Sequence, residues 1–140
     1  MSPLLFLLVA KGLSRLLKKA HREGQVFGIN VAPQLQITHL LFMDDVLIFC
    51  SGNVHDVNTI SGLLGLFSFA TGMEINAGKS SLMTHGMDVV EVRHATTLFP
   101  FIRANLDEGL KYLGFMLKPN NYLKKDWLWL IEKLEKHLHS

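Results

Sequence analysis

The chain has 140 residues, a formal net charge of +2, 49% hydrophobic residues and a single cysteine, Cys50. That length holds one domain at most, and one cysteine excludes both an intrachain disulfide and a cysteine-rich zinc site. The charge is too small to announce nucleic-acid binding by itself, so any such role must come from local patches. A reducing, intracellular setting is expected over a secreted one.

From Pro3 to about Arg22 the pattern predicts a helix. Pro3 suits its first turn, and Leu5, Val9, Leu13, Leu16, Leu17 and Ala20 fall on one side. Lys11, Arg15, Lys18 and Arg22 share the opposite side, either as a solvated face or as a stripe that tracks a phosphate backbone. The opening run Leu4 to Ala10 resembles the apolar part of a signal peptide, but no positive charge precedes it and basic residues follow at once. It is also far shorter than the ~20 residues that span a bilayer, so no membrane association is expected. Gly24 is the stop signal.

Gln25 to Val31 and Leu35 to Phe42 read as adjoining strands around a Pro33-Gln34 turn. The second runs into Met43-Asp44-Asp45-Val46-Leu47-Ile48-Phe49, where two adjacent carboxylates interrupt an apolar, strand-forming run. The flanks predict a hairpin with the acidic pair at its bend. Neighbouring carboxylates repel and are costly to desolvate unless something positive neutralises them. Asp44 and Asp45 are therefore either a solvated turn or part of a divalent-cation site. Mg²⁺ takes oxygen ligands and often binds one or two carboxylates together with substrate phosphates, so phosphoryl transfer is the chemistry to consider first.

Ser51-Gly52-Asn53 breaks the pattern. Val57, Ile60, Leu63, Leu64, Phe67 and Ala70 then recur at helical spacing, and Gly72 is placed to end that helix. Met73 to Asn76 reads as a short strand, Ala77-Gly78-Lys79 as a turn, Ser80 to Thr84 as another strand and Val89 to Leu98 as a helix. Lys111 to Leu117 reads as a strand stopped by Pro119-Asn120-Asn121. A last helix, Leu123 to Leu138, has Trp127, Leu130, Ile131, Leu134 and Leu138 on one face; Trp127 and Trp129 either stack on bases or pack, and the place of Trp127 on the apolar stripe favours core packing. His39 reads as a packed strand histidine. This order predicts an α+β fold, with helices on one face of a mainly antiparallel sheet.

Four separated segments resemble the reverse transcriptases of non-LTR retrotransposons, in particular the plant lineage-type elements. Ser2-Pro3-Leu4-Leu5-Phe6 resembles the end of the family's Gln-Gly-Asp-Pro-Leu-Ser-Pro-Leu-Leu-Phe motif, which leads into a long palm helix. His39-Leu40-Leu41-Phe42-Met43-Asp44-Asp45 is similar to its catalytic hairpin, usually Phe-Ala-Asp-Asp, with Met43 in place of the small residue. Thr71-Gly72-Met73-Glu74-Ile75-Asn76 with Lys79-Ser80 resembles the next palm motif, commonly Ser-Gly-Leu-Lys-Ile-Asn with a nearby Lys-Ser. Tyr112-Leu113-Gly114-Phe115 resembles the hairpin at the palm–thumb junction.

The resemblance implies a partial polymerase palm over residues 1–122 and the beginning of the thumb over 123–140. The implied reaction is RNA-directed DNA synthesis, with an RNA template, a DNA primer and deoxynucleotides as partners and two Mg²⁺ ions as cofactor. Asp44 is implied as the direct metal ligand and Asp45 as its weaker assistant. Lys79 matches a lysine that donates a proton or charge to the departing pyrophosphate, or is an exposed turn lysine. Tyr112 and Gly114 are implied near the primer, where Gly114 either permits close backbone approach or serves a strand turn.

A third catalytic aspartate of the family, on an upstream strand, has no counterpart here, so the expectation is a fragment inactive alone, with an unpaired edge and uncovered apolar surface. The competing expectations are a non-catalytic module that grips nucleic acid through the basic stripe, and a segment that complements a separately encoded polymerase part.

Overall fold

Helix α1 spans Pro3–Arg22, the interval that the apolar spacing predicts. Only its C-terminal half is buried: Leu13, Leu17 and Ala20 face the interior, whereas Leu4, Leu5, Leu7 and Leu8 are exposed. The chain leaves the helix through Gly24 at φ 68°, a left-handed conformation that glycine adopts without a Cβ penalty. The Gln25 amide then donates to the Ala20 carbonyl at 2.9 Å, and His21 Nδ1 donates to the Val26 carbonyl at 2.9 Å. These bonds turn Val26 into the core, where it is fully buried. The computed structural model describes residues 3–113, 115–118 and 122–138.

Two antiparallel hairpins follow, β1 (Ile29–Ala32) with β2 (Leu35–Ile37), and β3 (His39–Phe42) with β4 (Asp45–Ile48). The expected continuous strand from Leu35 to Phe42 is thus split at Thr38. That residue is buried, and its carbonyl accepts the Phe49 amide at 2.8 Å, so it turns to the β4 side while Ile37 stays with β1. Before β1 the chain passes so close to β2 that a Cβ on Gly28 would stand 2.3 Å from the Ile37 carbonyl oxygen. The ladder begins at Ile29, not at Gln25.

Helix α2 (Val54–Thr71) starts at Asn53, whose side chain accepts the Asp56 amide, and ends at Gly72 in the left-handed conformation, φ 69°. The glycine stop read from the sequence is therefore the actual cap. Helix α3 (Val89–Leu98) matches its predicted bounds and begins with a reciprocal capping box between Asp88 and Glu91.

The expected strand Met73–Asn76 is absent. Asn76 instead caps a single 3₁₀ turn, Ala77–Lys79, by accepting the Lys79 amide at 3.1 Å. Local side-chain capping of this kind competes with a ladder. Of the expected strand Ser80–Thr84 only β5 (Ser81–Leu82) is paired, and it runs parallel to β6 (Ile102–Arg103), which the sequence pattern did not reveal.

The expected single strand over Lys111–Leu117 is a hairpin, β7 (Leu110–Tyr112) with β8 (Phe115–Leu117), turning through Leu113 at φ 53°. A 3₁₀ turn, Lys124–Trp127, precedes α4 (Leu128–Leu138). This shortens the helix expected from Leu123, because the Asp126 carboxylate captures the Leu123 amide at 2.8 Å and tightens the first turn. Trp127 is not the core residue that its spacing predicts, because the apolar stripe of α4 is left uncovered. It is 45% exposed, and Ile131, Leu134 and Leu138 on the same stripe are also exposed.

The fold is α+β, as the sequence predicts. Among the described residues the strands form four two-stranded ladders, three antiparallel and one parallel, without merging into one sheet. Helix α1 packs on β3 and α2, and α2 packs on α3. The core lies where they meet, around Ala20, Val26 and Ile60, with Ile48, Cys50, Leu63, Leu64 and Phe99 against it.

Candidate active site

The acidic pair sits where the flanking strands predict, at the bend of β3–β4. Phe42 pairs with Asp45, leaving Met43 and Asp44 as a two-residue turn. Such tight hairpins favour a positive φ at the first central position, because that backbone twist matches the twist of the strands. Met43 supplies it at φ 51°, without the freedom of glycine, at a cost of about 1–2 kcal/mol. Alternation along β4 puts Asp45 on the face that carries Phe42, Leu40 and Leu47, while His39, Leu41, Val46 and Ile48 share the other.

Asp44 and Asp45 are exposed, and neither side chain has a hydrogen bond or ion pair among the described residues. Both oxygen pairs are therefore open to a ligand. No group of three or more His, Cys, Asp or Glu side chains placed to hold a metal ion occurs among the described residues. The donor set thus suits one hard cation that completes its shell with water and phosphate oxygens, and by itself falls short of the set that two ions at ~3.5–4 Å require.

While the tip is free, the root of the hairpin is tied down. His39, the first residue of β3, places Nε2 2.8 Å from Ser14 Oγ on α1 and Nδ1 2.9 Å from Thr38 Oγ1. Whichever ring nitrogen is protonated donates to its hydroxyl, and the other accepts. Burial, with the nearby Lys18 charge as a second cause, lowers the His39 pKa from its ordinary 6.5, so the ring is neutral at pH 7. The packed strand histidine read from the sequence is thus a tether between helix and hairpin.

The exit from β4 is held by Asp56, which the sequence reading passed over. Its side chain is fully buried, and Oδ2 accepts the Phe27 amide at 3.1 Å, the Ser51 amide at 3.2 Å and the Ser51 hydroxyl at 2.7 Å. One carboxylate in the first turn of α2 joins the segment after α1, the loop after β4 and the helix itself. The available signal was the Asn53-x-x-Asp56 spacing at the start of an apolar helix, a variant of the capping pattern.

The remaining candidate residues are more dispersed. Lys11, Arg15, Lys18 and Arg22 are all exposed along α1. Lys79 is exposed on the 3₁₀ turn, which packs against β6, and its ammonium has no partner among the described residues. Tyr112 is half-buried at the end of β7, opposite Phe115. Gly114 lies outside the described residues.

A family model described as reverse transcriptase (RNA-dependent DNA polymerase) matches residues 1–117. The chain belongs to the reverse transcriptase family. The match takes in the acidic hairpin, the basic stripe, Lys79 and every strand through the end of β8 at Leu117, whereas the turn and helix that follow lie past it. Membership of the family implies a nucleic-acid template and nucleotide substrates, and the family uses divalent metal ions. No helix among the described residues is long and apolar enough to cross a membrane.

Proposed function

We propose that the chain is the palm portion of an RNA-directed DNA polymerase of the non-LTR retrotransposon type, over residues 1–122, followed by the start of a thumb over 123–140. The observation that carries this reading is the exposed, unpartnered carboxylate pair at the bend of an antiparallel hairpin inside the family-matched residues. In this reading Asp44 is the direct ligand of a catalytic Mg²⁺ and Asp45 its weaker assistant. When bound, the ion supplies Lewis-acid charge at the transferred phosphoryl group. Lys79 is the candidate proton or charge donor towards departing pyrophosphate. Lys11, Arg15, Lys18 and Arg22 form a phosphate-tracking stripe, and Tyr112 with Gly114 lies along the primer.

The protein's own contribution is positional. The His39 tether and the Asp56 junction fix the root of the hairpin on α1 and α2, so the carboxylates are held at a set place without being neutralised by the fold. A third aspartate is needed to complete the site, and without it the chain alone is inactive.

Primer extension with Mg²⁺ or Mn²⁺, on the chain alone and with a polymerase segment that carries the missing aspartate strand, tests this. No extension is expected alone, and extension abolished by Asp44→Asn is expected after complementation. Extension that survives Asp44→Asn would refute the role given to the hairpin.

A further inference from the structure

A cleft of about 230 Å³ opens between α2, the segment after its Gly72 cap and the end of α3. Leu64, Ile75, Leu98, Phe99 and Phe101 make its apolar wall. The Phe101 amide donates to the Phe99 carbonyl at 2.7 Å across Pro100, and the two rings stand 5.6 Å apart with a tilt of 34°. The cleft shares no residue with the acidic hairpin, and none of its wall residues has a part in the polymerase reading.

The polar groups of the wall are all free to meet a ligand. Glu74 is exposed and has no hydrogen bond or ion pair among the described residues. The hydroxyls of Ser61 and Ser68, on the α2 side of the cleft, have no hydrogen bond among them either. No lysine, arginine or histidine among the described residues lines the cleft, so its one formal charge is negative. The ring faces act in the same direction, because an aromatic quadrupole attracts cations. An anion is therefore disfavoured, and a cation with an apolar stem is attracted at both ends.

Gly65 supplies the room. It lies in the interior of α2 on the face that carries Ser61, Leu64 and Ser68, and a Cβ there would meet nothing within 4 Å. Glycine weakens a helix interior relative to alanine, yet no packing contact requires it at this position. Its effect is to leave space against the helix backbone. The volume falls below the roughly 300–1,000 Å³ of sites for drug-sized ligands, so the occupant is a smaller molecule.

We propose that this cleft binds a small organic ammonium ion, a protonated amine on a short aryl or alkyl stem, with the stem against Leu64, Phe99 and Phe101 and the ammonium paired with Glu74. The inference is independent of the polymerase reading.

The full chain, labelled with ¹³C at its leucine and isoleucine methyls, is titrated at pH 7 with phenethylammonium and, separately, with its neutral counterpart 2-phenylethanol. The ammonium is expected to shift the Leu64, Ile75 and Leu98 methyl signals saturably, with a Kd on the order of 1 mM for a ligand of this size. The alcohol should bind about threefold more weakly, as the loss of one exposed charge pair requires. Glu74→Gln should remove that difference between the two ligands. Gly65→Leu should fill the cleft and abolish the shifts, with a Tm no lower than that of the wild type, because leucine is the better helix former.

Methyl signals that do not move would overturn the proposal, including the case in which a second copy of the chain already covers the cleft. So would an alcohol that binds as tightly as the ammonium, or shifts that persist in Gly65→Leu.

Discussion

Replacing Asp56 tests whether the acidic hairpin is held from behind by one carboxylate. Asp56→Ala removes the acceptor of two backbone amides and a hydroxyl in a side chain that is 0% exposed. Hydrogen bonds to a charged acceptor contribute about 1.5–3 kcal/mol each. Phe27 and Ser51 are exposed residues, so water satisfies part of what is lost and a net cost of about 3 kcal/mol is expected, more than a hundredfold in the folded-to-unfolded ratio. Asp56→Asn keeps an oxygen acceptor, and the oxygen it turns into an amide nitrogen, Oδ1, has no partner to lose. That nitrogen brings two buried donors with no acceptor, so the substitution should recover only part of the loss. Urea unfolding followed by far-UV circular dichroism measures both. An alanine variant within about 1 kcal/mol of wild type would refute the junction, as would an asparagine variant that is the less stable of the two.

Three other outcomes follow from the same geometry. The His39 pKa is lowered in the fold by burial and then by Lys18, so the unfolded chain binds the extra proton first; stability from this residue is present above pH 6.5 and is lost as pH falls below it. The urea midpoint should drop from pH 7.5 to 5.5, and His39→Gln should flatten the drop. Asp126, held low chiefly by Lys118 and next by the Leu123 amide, should stabilise the β8–α4 region above the ordinary carboxylate pKa and cease to do so as pH falls through its folded value. Near-UV circular dichroism of the tryptophans during an acid titration, with Asp126→Asn as reference, reads that loss. Gly28→Ala puts a Cβ 2.3 Å from the Ile37 carbonyl oxygen and 2.7 Å from its carbon, a backbone clash that should cost about 1–3 kcal/mol and raise amide exchange in β1–β2.

Much of this arrangement is legible in the sequence where a strong local signal and the tertiary demand coincide. Helices α1 and α3 and the Gly72 cap are of that kind, and so is the acidic hairpin, because a charged pair inside an apolar run has few places to go but a bend. Elements of two to four residues escape such reading, since periodicity needs length. The β5–β6 ladder depends on partners about twenty residues apart, and the split at Thr38 depends on which amide its carbonyl meets. Trp127 was misplaced for a related reason. Helical spacing puts it on an apolar stripe with Ile131, Leu134 and Leu138, but that whole stripe is exposed, and spacing alone does not say whether a partner surface covers it. The site residues divide the same way: the carboxylate pair announces itself by composition, whereas Asp56 looks like any acidic residue in a first helical turn until its three donors converge.

The carboxylate pair poses one further question, which the fold turns into a measurement. Two exposed, adjacent anions are held at the bend of a hairpin with a left-handed Met43, and neither has a hydrogen bond or ion pair among the described residues. A cation that binds them in the folded chain must therefore stabilise it, by about 1.4 kcal/mol at ten times its Kd, or a few degrees in Tm. Mg²⁺ at millimolar concentration should raise the Tm of the wild type, and Ca²⁺ should do so less if the donors suit the smaller ion. Asp44→Asn should gain nothing from Mg²⁺. An equal Mg²⁺ shift in both proteins would assign the effect to general screening. In that event the bend is a solvated corner, and the catalytic role proposed for Asp44 loses its physical basis.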